Sequence, residues 1–136
     1  MDILAMSAKG IAPFLIYLAG AAGLLAVFVI IYVRITPYRE FALIRQGNCA
    51  AAASLSGAML GYTLPLASAI AHSAVIEEML MWGAIALLVQ LGVYAVARLL
   101  LPELTQRIPE GNTAHGVFLG ALSLAGGVIN AACMVY

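Results

Sequence analysis

Apolar positions in this chain run for twenty residues or more at a time, and the polar positions collect in short clusters between those runs. A bilayer-spanning helix needs about 20 mostly apolar residues, because the hydrocarbon core is about 30 Å thick and the helix rises about 1.5 Å per residue. Four windows reach that length, at residues 11–33, 49–71, 80–101 and 114–136. Helix is the expected conformation in each, since lipid offers no partner for unpaired backbone N–H and C=O groups. The first window is too long for the apolar core of a cleaved signal peptide, and Arg34 follows it where small residues would mark a cleavage site. It is expected to be a retained helix.

Composition agrees with this pattern. Of 136 residues, 65% are hydrophobic and 9% charged, with a mean hydropathy of +1.07, outside the range of water-soluble globules. The expected fold is all-α: one membrane domain over residues 1–136 that forms a four-helix transmembrane bundle. No basic arm or low-complexity tail is left over, so the lipid bilayer, and not nucleic acid, is the expected partner.

The charged positions predict an orientation. The first connection carries Arg34, Arg39 and Arg45, and the third carries Arg98 and Arg107. The second has no Lys or Arg, only His72, Glu77 and Glu78. Positive charge in short loops stays in the cytoplasm, so the first and third connections are expected there, with both termini on the other side and Lys9 dissenting. Cys49 and Cys133 then fall at opposite faces, too far apart for an intrachain disulfide.

Comparing the chain with itself exposes a period of about 64 residues. Gly47-Asn48-Cys49-Ala50 aligns on Gly111-Asn112-Thr113-Ala114, Leu55 on Leu119, Leu60 on Leu124 and Ala67 on Ala131. Arg34 falls on Arg98, and Pro37 on Pro102 with one gap. The sequence therefore reads as two tandem two-helix repeats, about 11–71 and 80–136, in the same orientation. Their pseudo-symmetry axis is expected along the membrane normal. Each repeat contains a short helix expected to lie at the cytoplasmic interface. In the first, Thr36-Pro37 reads as N-cap and first helical residue, Tyr38, Phe41 and Ile44 form the apolar side, and Gly47 is the stop. In the second, Leu104 and Ile108 are apolar and Pro109 ends the turn.

Taken together, these residues resemble the bacterial family known as domain of unknown function 350, the YjfL-type inner-membrane proteins. The resemblance rests on Ile35-Thr36-Pro37 with Glu40, Gly47-Asn48 with Ala50-Ala51, Leu60-Gly61-Tyr62 with Pro65, Trp82-Gly83 and Gln90. It continues through Gly111-Asn112-Thr113-Ala114 and Ala125-Gly126-Gly127 to Asn130-Ala131-Ala132-Cys133. It implies a bacterial inner-membrane location and a duplicated two-helix domain, and carries no activity or catalytic residues to transfer.

Candidate chemistry is sparse. No Asp, Glu, Lys or Arg falls in the centre of a span, where one charge costs about 3 kcal/mol and usually marks an ion or proton path. A proton-coupled pump is therefore not expected. Ser54, Ser56, Ser68 and Ser123 have no His or carboxylate to activate them, and bonding between helices is their usual role. Neither catalytic residues, a cofactor nor a metal site is expected. His72 and His115 fall at span ends, and Trp82, Tyr32, Tyr38 and Tyr136 suit the headgroup belts.

Three groups of residues remain as candidates. Gly47-Asn48 and Gly111-Asn112 read as helix starts with Asn as cap; with Arg45 and Arg107 beside them, they would also suit an anion or an anionic lipid headgroup. Pro65 interrupts the second span near the depth of Asn130. With Tyr62 and Gln90, these residues form a candidate intramembrane polar level, read against plain hydrogen bonding between helices. Gly57-x3-Gly61, Gly116-x3-Gly120 and Ala19-x3-Gly23 are helix-packing stripes, and any stripe left over would support a homo-oligomer. The functional expectation is a non-enzymatic membrane scaffold or partner-binding subunit, with an envelope-stress role. The alternative is an oligomeric channel or small transporter built on the polar level.

Overall fold

The computed structural model describes residues 2–136, which form α1 (Ile3–Ile35), α2 (Glu40–Arg45), α3 (Cys49–His72), α4 (Ile76–Leu100), α5 (Leu104–Arg107) and α6 (Thr113–Cys133). Among the described residues there is no strand, and four helices are long and apolar enough to cross a membrane.

Two of the expected helix starts move toward the N-terminus. α1 begins at Ile3, not at residue 11, because Asp2 caps it: the Asp2 carboxylate accepts from the Leu4 amide at 3.1 Å. Its 33 residues extend about 50 Å, so its first turns outrun the hydrocarbon core. Lys9 sits on that exposed stretch. α4 begins at Ile76, not at residue 80. Glu77 and Glu78 form its first turn, where the positive helix end favours them, and Glu78 Oε2 accepts from the Ala74 amide at 3.0 Å. At the far end α6 stops at Cys133, not at Tyr136.

The expected N-cap at Thr36 is also corrected. Thr36 precedes Pro37, whose ring pushes it to extended backbone (φ −69°, ψ 138°), so it closes α1. α2 opens only at Glu40, with Arg39 in the cap position. Gly47 does stop α2. It adopts φ +85°, its amide donates to Ile44 O at 2.9 Å, and the Asn48 amide donates to Leu43 O at 2.9 Å. Gly111 does the same after α5: φ +84°, its amide to Ile108 O and the Asn112 amide to Arg107 O, both at 3.0 Å.

α3 and α6 form the centre of the bundle and run the same way, as the rising pairs Ala50 with Gly116, Gly57 with Gly120 and Gly61 with Gly127 require. α4 returns after a three-residue connection, Ser73–Val75, and packs on both. α1 leans on α3 and α4 from outside and buries only Phe28 and Tyr32. The Leu, Ile and Val side chains left exposed along α1, α4 and α6 suit a lipid surround and would be untenable in water.

Candidate functional site

Backbone contact sets the geometry of the interior. A methyl group on Gly116 would stand 2.5 Å from the Ala50 Cα, and one on Gly120 2.5 Å from the Ala53 carbonyl oxygen. Gly57 meets Gly120, and Gly61 meets Ser123 and Gly127, just as closely. The stripes at Gly57, Gly61, Gly116 and Gly120 are thus consumed in the α3–α6 contact. Gly23 has no neighbour within 4 Å and Ala19 is exposed, so the third stripe stays open on the outside of α1.

This close approach fixes the residues of the expected polar level. Pro65 is buried and lacks an N–H, so the Gly61 carbonyl loses its usual helical donor and lies against Gly127 instead. Gln90 is 1% exposed and reaches from α4 across Gly61, where its Nε2 donates to Ser123 O at 3.0 Å. Tyr62 turns the other way, donates to Gly83 O at 3.1 Å and stacks on Phe28 with centroids 4.5 Å apart. Gln90 Oε1, Ser123 Oγ and Asn130 Nδ2 are enclosed without a partner. Gly61, Gln90 and Ser123 therefore come together, while Tyr62 bonds to a different helix and Asn130 makes no side-chain hydrogen bond.

The Gly-Asn starts are occupied by the fold. Asn48 caps α3, its Oδ1 accepting from the Ala51 amide at 3.0 Å. Its Nδ2 donates to the carbonyls of Ile108 (3.0 Å) and Pro109 (3.3 Å), tying the first connection to the third. Asn112 caps α6 through the His115 amide at 3.4 Å. Arg107 pairs with Glu110 at 3.5 Å, and Arg45 is exposed. His115 Nε2 lies 3.2 Å from Glu103 Oε1. Glu103's own amide, then His115, hold that carboxyl below the ordinary carboxylate range.

At the other end Tyr136 closes the bundle. Its ring stacks on His72 at 4.9 Å and leans on Trp82 at 5.7 Å, and its hydroxyl lies 3.1 Å from Ser68 Oγ. Cys49 and Cys133 are free and exposed. Among the described residues no group of three or more His, Cys, Asp or Glu could hold a metal ion.

The sequence reading missed a polar chamber where α2 meets the bundle. Glu40 is 1% exposed. Its Oε1 receives the Thr36 hydroxyl, while its Oε2 is enclosed without a partner. The hydroxyls of Tyr32, Tyr38 and Tyr94 are enclosed and unpartnered too, within electrostatic reach of one another and of Glu40. Tyr32 and Tyr94 meet edge to face at 5.6 Å, and Phe28, 5.6 Å from Tyr32, seals the chamber from the membrane interior. Burial pushes the Glu40 carboxyl up to about 7, against the opposing pull of the Thr36 hydroxyl and its own amide, and it raises the Tyr38 phenol further above its ordinary value. The available signal was Tyr32 and Tyr94 near the C-terminal ends of α1 and α4, with Tyr38 and Glu40 in the stretch that follows α1.

Comparison with known proteins gives a consistent answer. The family described as Domain of Unknown Function (DUF350) matches residues 6–134. The protein named UPF0719 inner membrane protein YjfL, from Escherichia coli strain K12 and again from Escherichia coli O157:H7, is 46% identical over 110 residues, covering 81% of this chain and 83% of the relative. No solved structure matches.

Proposed function

This chain belongs to the DUF350 family and is a multi-pass inner-membrane protein, and on that premise we propose that it works as a non-enzymatic membrane scaffold, a subunit that binds partners and serves the envelope under stress. The observation that carries this reading is the open small-residue stripe at Ala19 and Gly23. Small residues on a lipid-facing helix let a second helix approach to backbone distance, and no helix of this chain uses that stripe. The occupant is another copy of the chain or a different membrane protein. In the proposed orientation the arginine-bearing connections, with α2 and α5, face the cytoplasm.

The test is cross-linking in native membranes followed by purification of full-length protein carrying Gly23→Leu. A branched side chain at this site should reduce the cross-linked species at least several-fold, while the same substitution at Gly92, on the outer face of α4 with nothing within 4 Å, should not. Equal yields from the two variants would remove the stripe from consideration.

The channel reading draws support from the unpartnered Gln90 Oε1 and Asn130 Nδ2. It is the weaker of the two, because Gln90 is already bonded to Ser123 O and packed against Gly61. Solute or ion flux through reconstituted vesicles that is lost in Gln90→Leu would reverse the order.

A further inference from the structure

A glutamate at the start of a six-residue surface helix would ordinarily stand in water, yet Glu40 is enclosed. Its surroundings come from every element packed on it. α1 contributes Tyr32, the α1–α2 connection Thr36 and Tyr38, α3 the Ser54 hydroxyl beside Tyr38, and α4 Tyr94, with Arg98 behind it. The Arg98 guanidinium lies over the Tyr94 ring, 5.9 Å from its centroid, and no salt bridge to Glu40 occurs among the described residues. A carboxylate shut away from water without a cation is costly to keep ionised. A carboxylic acid suits the place better, since its proton gives it a donor as well as an acceptor among hydroxyls that can serve as either.

We propose that Glu40, enclosed with the hydroxyls of Tyr32, Tyr38 and Tyr94, is a protonation latch, holding α2 on the bundle as the neutral acid and releasing α2 when it ionises. The route out is short. An open groove along Val33, Arg39, Glu40, Phe41 and Arg45 separates α2 from the end of α1, so the ionised carboxylate can reach water by a local swing of α2 alone. Arg39, which caps α2, and Phe41 and Arg45 on it are already exposed, a basic and aromatic set suited to headgroups, so the released helix keeps a surface to lie on. The latch does not depend on the scaffold reading, because it concerns a different end of the molecule from the α1 stripe.

The sign follows from where the proton is held more tightly. The docked carboxyl titrates at about 7 and a free one at 4.5, so docking is strongest below 4.5, weakens as the pH climbs from 4.5 to 7, and is constant above that.

Full-length protein in lipid nanodiscs, followed by amide hydrogen exchange between about pH 5 and pH 8.5 and corrected for the intrinsic pH dependence of exchange, tests this. Protection of residues 40–46 should fall on the order of tenfold or more across that range in the wild type, while amides in the middle of α3 and α6 hold constant. Glu40→Gln should keep α2 protected at every pH. Infrared spectroscopy supplies a second readout that does not depend on how the substituted amide packs. A protonated carboxylic acid band should be strong in the wild type near pH 6, vanish by about pH 8.5, and be largely lost from Glu40→Gln near pH 6. Identical pH profiles of exchange in wild type and variant, or a band near pH 6 that is equally weak in both, would overturn the latch.

Discussion

Gly61 and Gly127 meet backbone to backbone, so that a methyl group on Gly127 would stand 2.6 Å from the Gly61 Cα. Pro65 makes the contact chemically useful. It strips the Gly61 carbonyl of its helical donor, and the Cα hydrogens of Gly127 are what that oxygen faces. In lipid, where apolar surfaces gain little from leaving the solvent, this type of close approach is what holds helices together.

The first prediction follows from that contact. Gly127→Ala should cost about 3 kcal/mol, because backbone cannot yield as a side chain would. Gly92→Ala, on the outer face of α4 with nothing within 4 Å, should be neutral or stabilise by up to about 1 kcal/mol. Reversible unfolding in mixed micelles measures both. Equal losses at the two sites would mean that α3 and α6 do not meet through Gly127.

The two helix caps should differ in worth although their sequences repeat. Asn48→Ala removes the cap on α3 and the two hydrogen bonds to Ile108 and Pro109, and should cost about 2 kcal/mol. Asn112→Ala removes one long cap bond and should cost about 1 kcal/mol or less. The same unfolding assay ranks them. A larger loss at Asn112 would contradict the cross-tie between the connections.

The four spans were legible because each needs only length and the absence of charge, and the Gly-Asn stops because a left-handed glycine has a local signature. The start of α1 was not legible from the window rule. Lys9 interrupts the apolar run without interrupting a helix, since Asp2 caps further upstream. Thr36 misled because Ser or Thr before Pro reads equally as the opening of one helix and the close of another, and only the path of the chain decides between them. Glu40 was invisible for a different reason. Its burial is created by Tyr32 and Tyr94, more than fifty residues apart in sequence, and no local pattern records that they converge. The depth match of Pro65 and Asn130 could be read from the repeat, but the direction in which each side chain points could not.

Gln90 offers a test of packing against conduction. Gln90→Met keeps the volume, loses the bond to Ser123 O and also removes the unpartnered Oε1. The two effects oppose, so stability should change by less than about 1 kcal/mol. A loss of several kcal/mol would mean that Gln90 has a partner in the assembled protein that one chain does not supply.

Two carboxyl groups at the α2/α5 end should shape the pH dependence of stability with opposite signs. Glu40 is raised to about 7 in the folded state, so its contribution is complete below 4.5 and is lost as the pH rises to about 7, by at most about 3 kcal/mol. Glu103 is lowered by its own amide and by His115, so its contribution is present above 4.5 and is lost as the pH falls through its folded value. Unfolding measured across this range for wild type, Glu40→Gln and Glu103→Gln separates them. Glu40→Gln should flatten the decline between 4.5 and 7, and Glu103→Gln should be weaker than wild type at neutral pH yet converge with it in acid. The Glu103 side chain is partly exposed and open to counterions, so added salt should shrink its effect while leaving that of the enclosed Glu40 largely intact. If salt instead abolished both effects, Glu40 would be titrating in open water, and the chamber around it would not be closed.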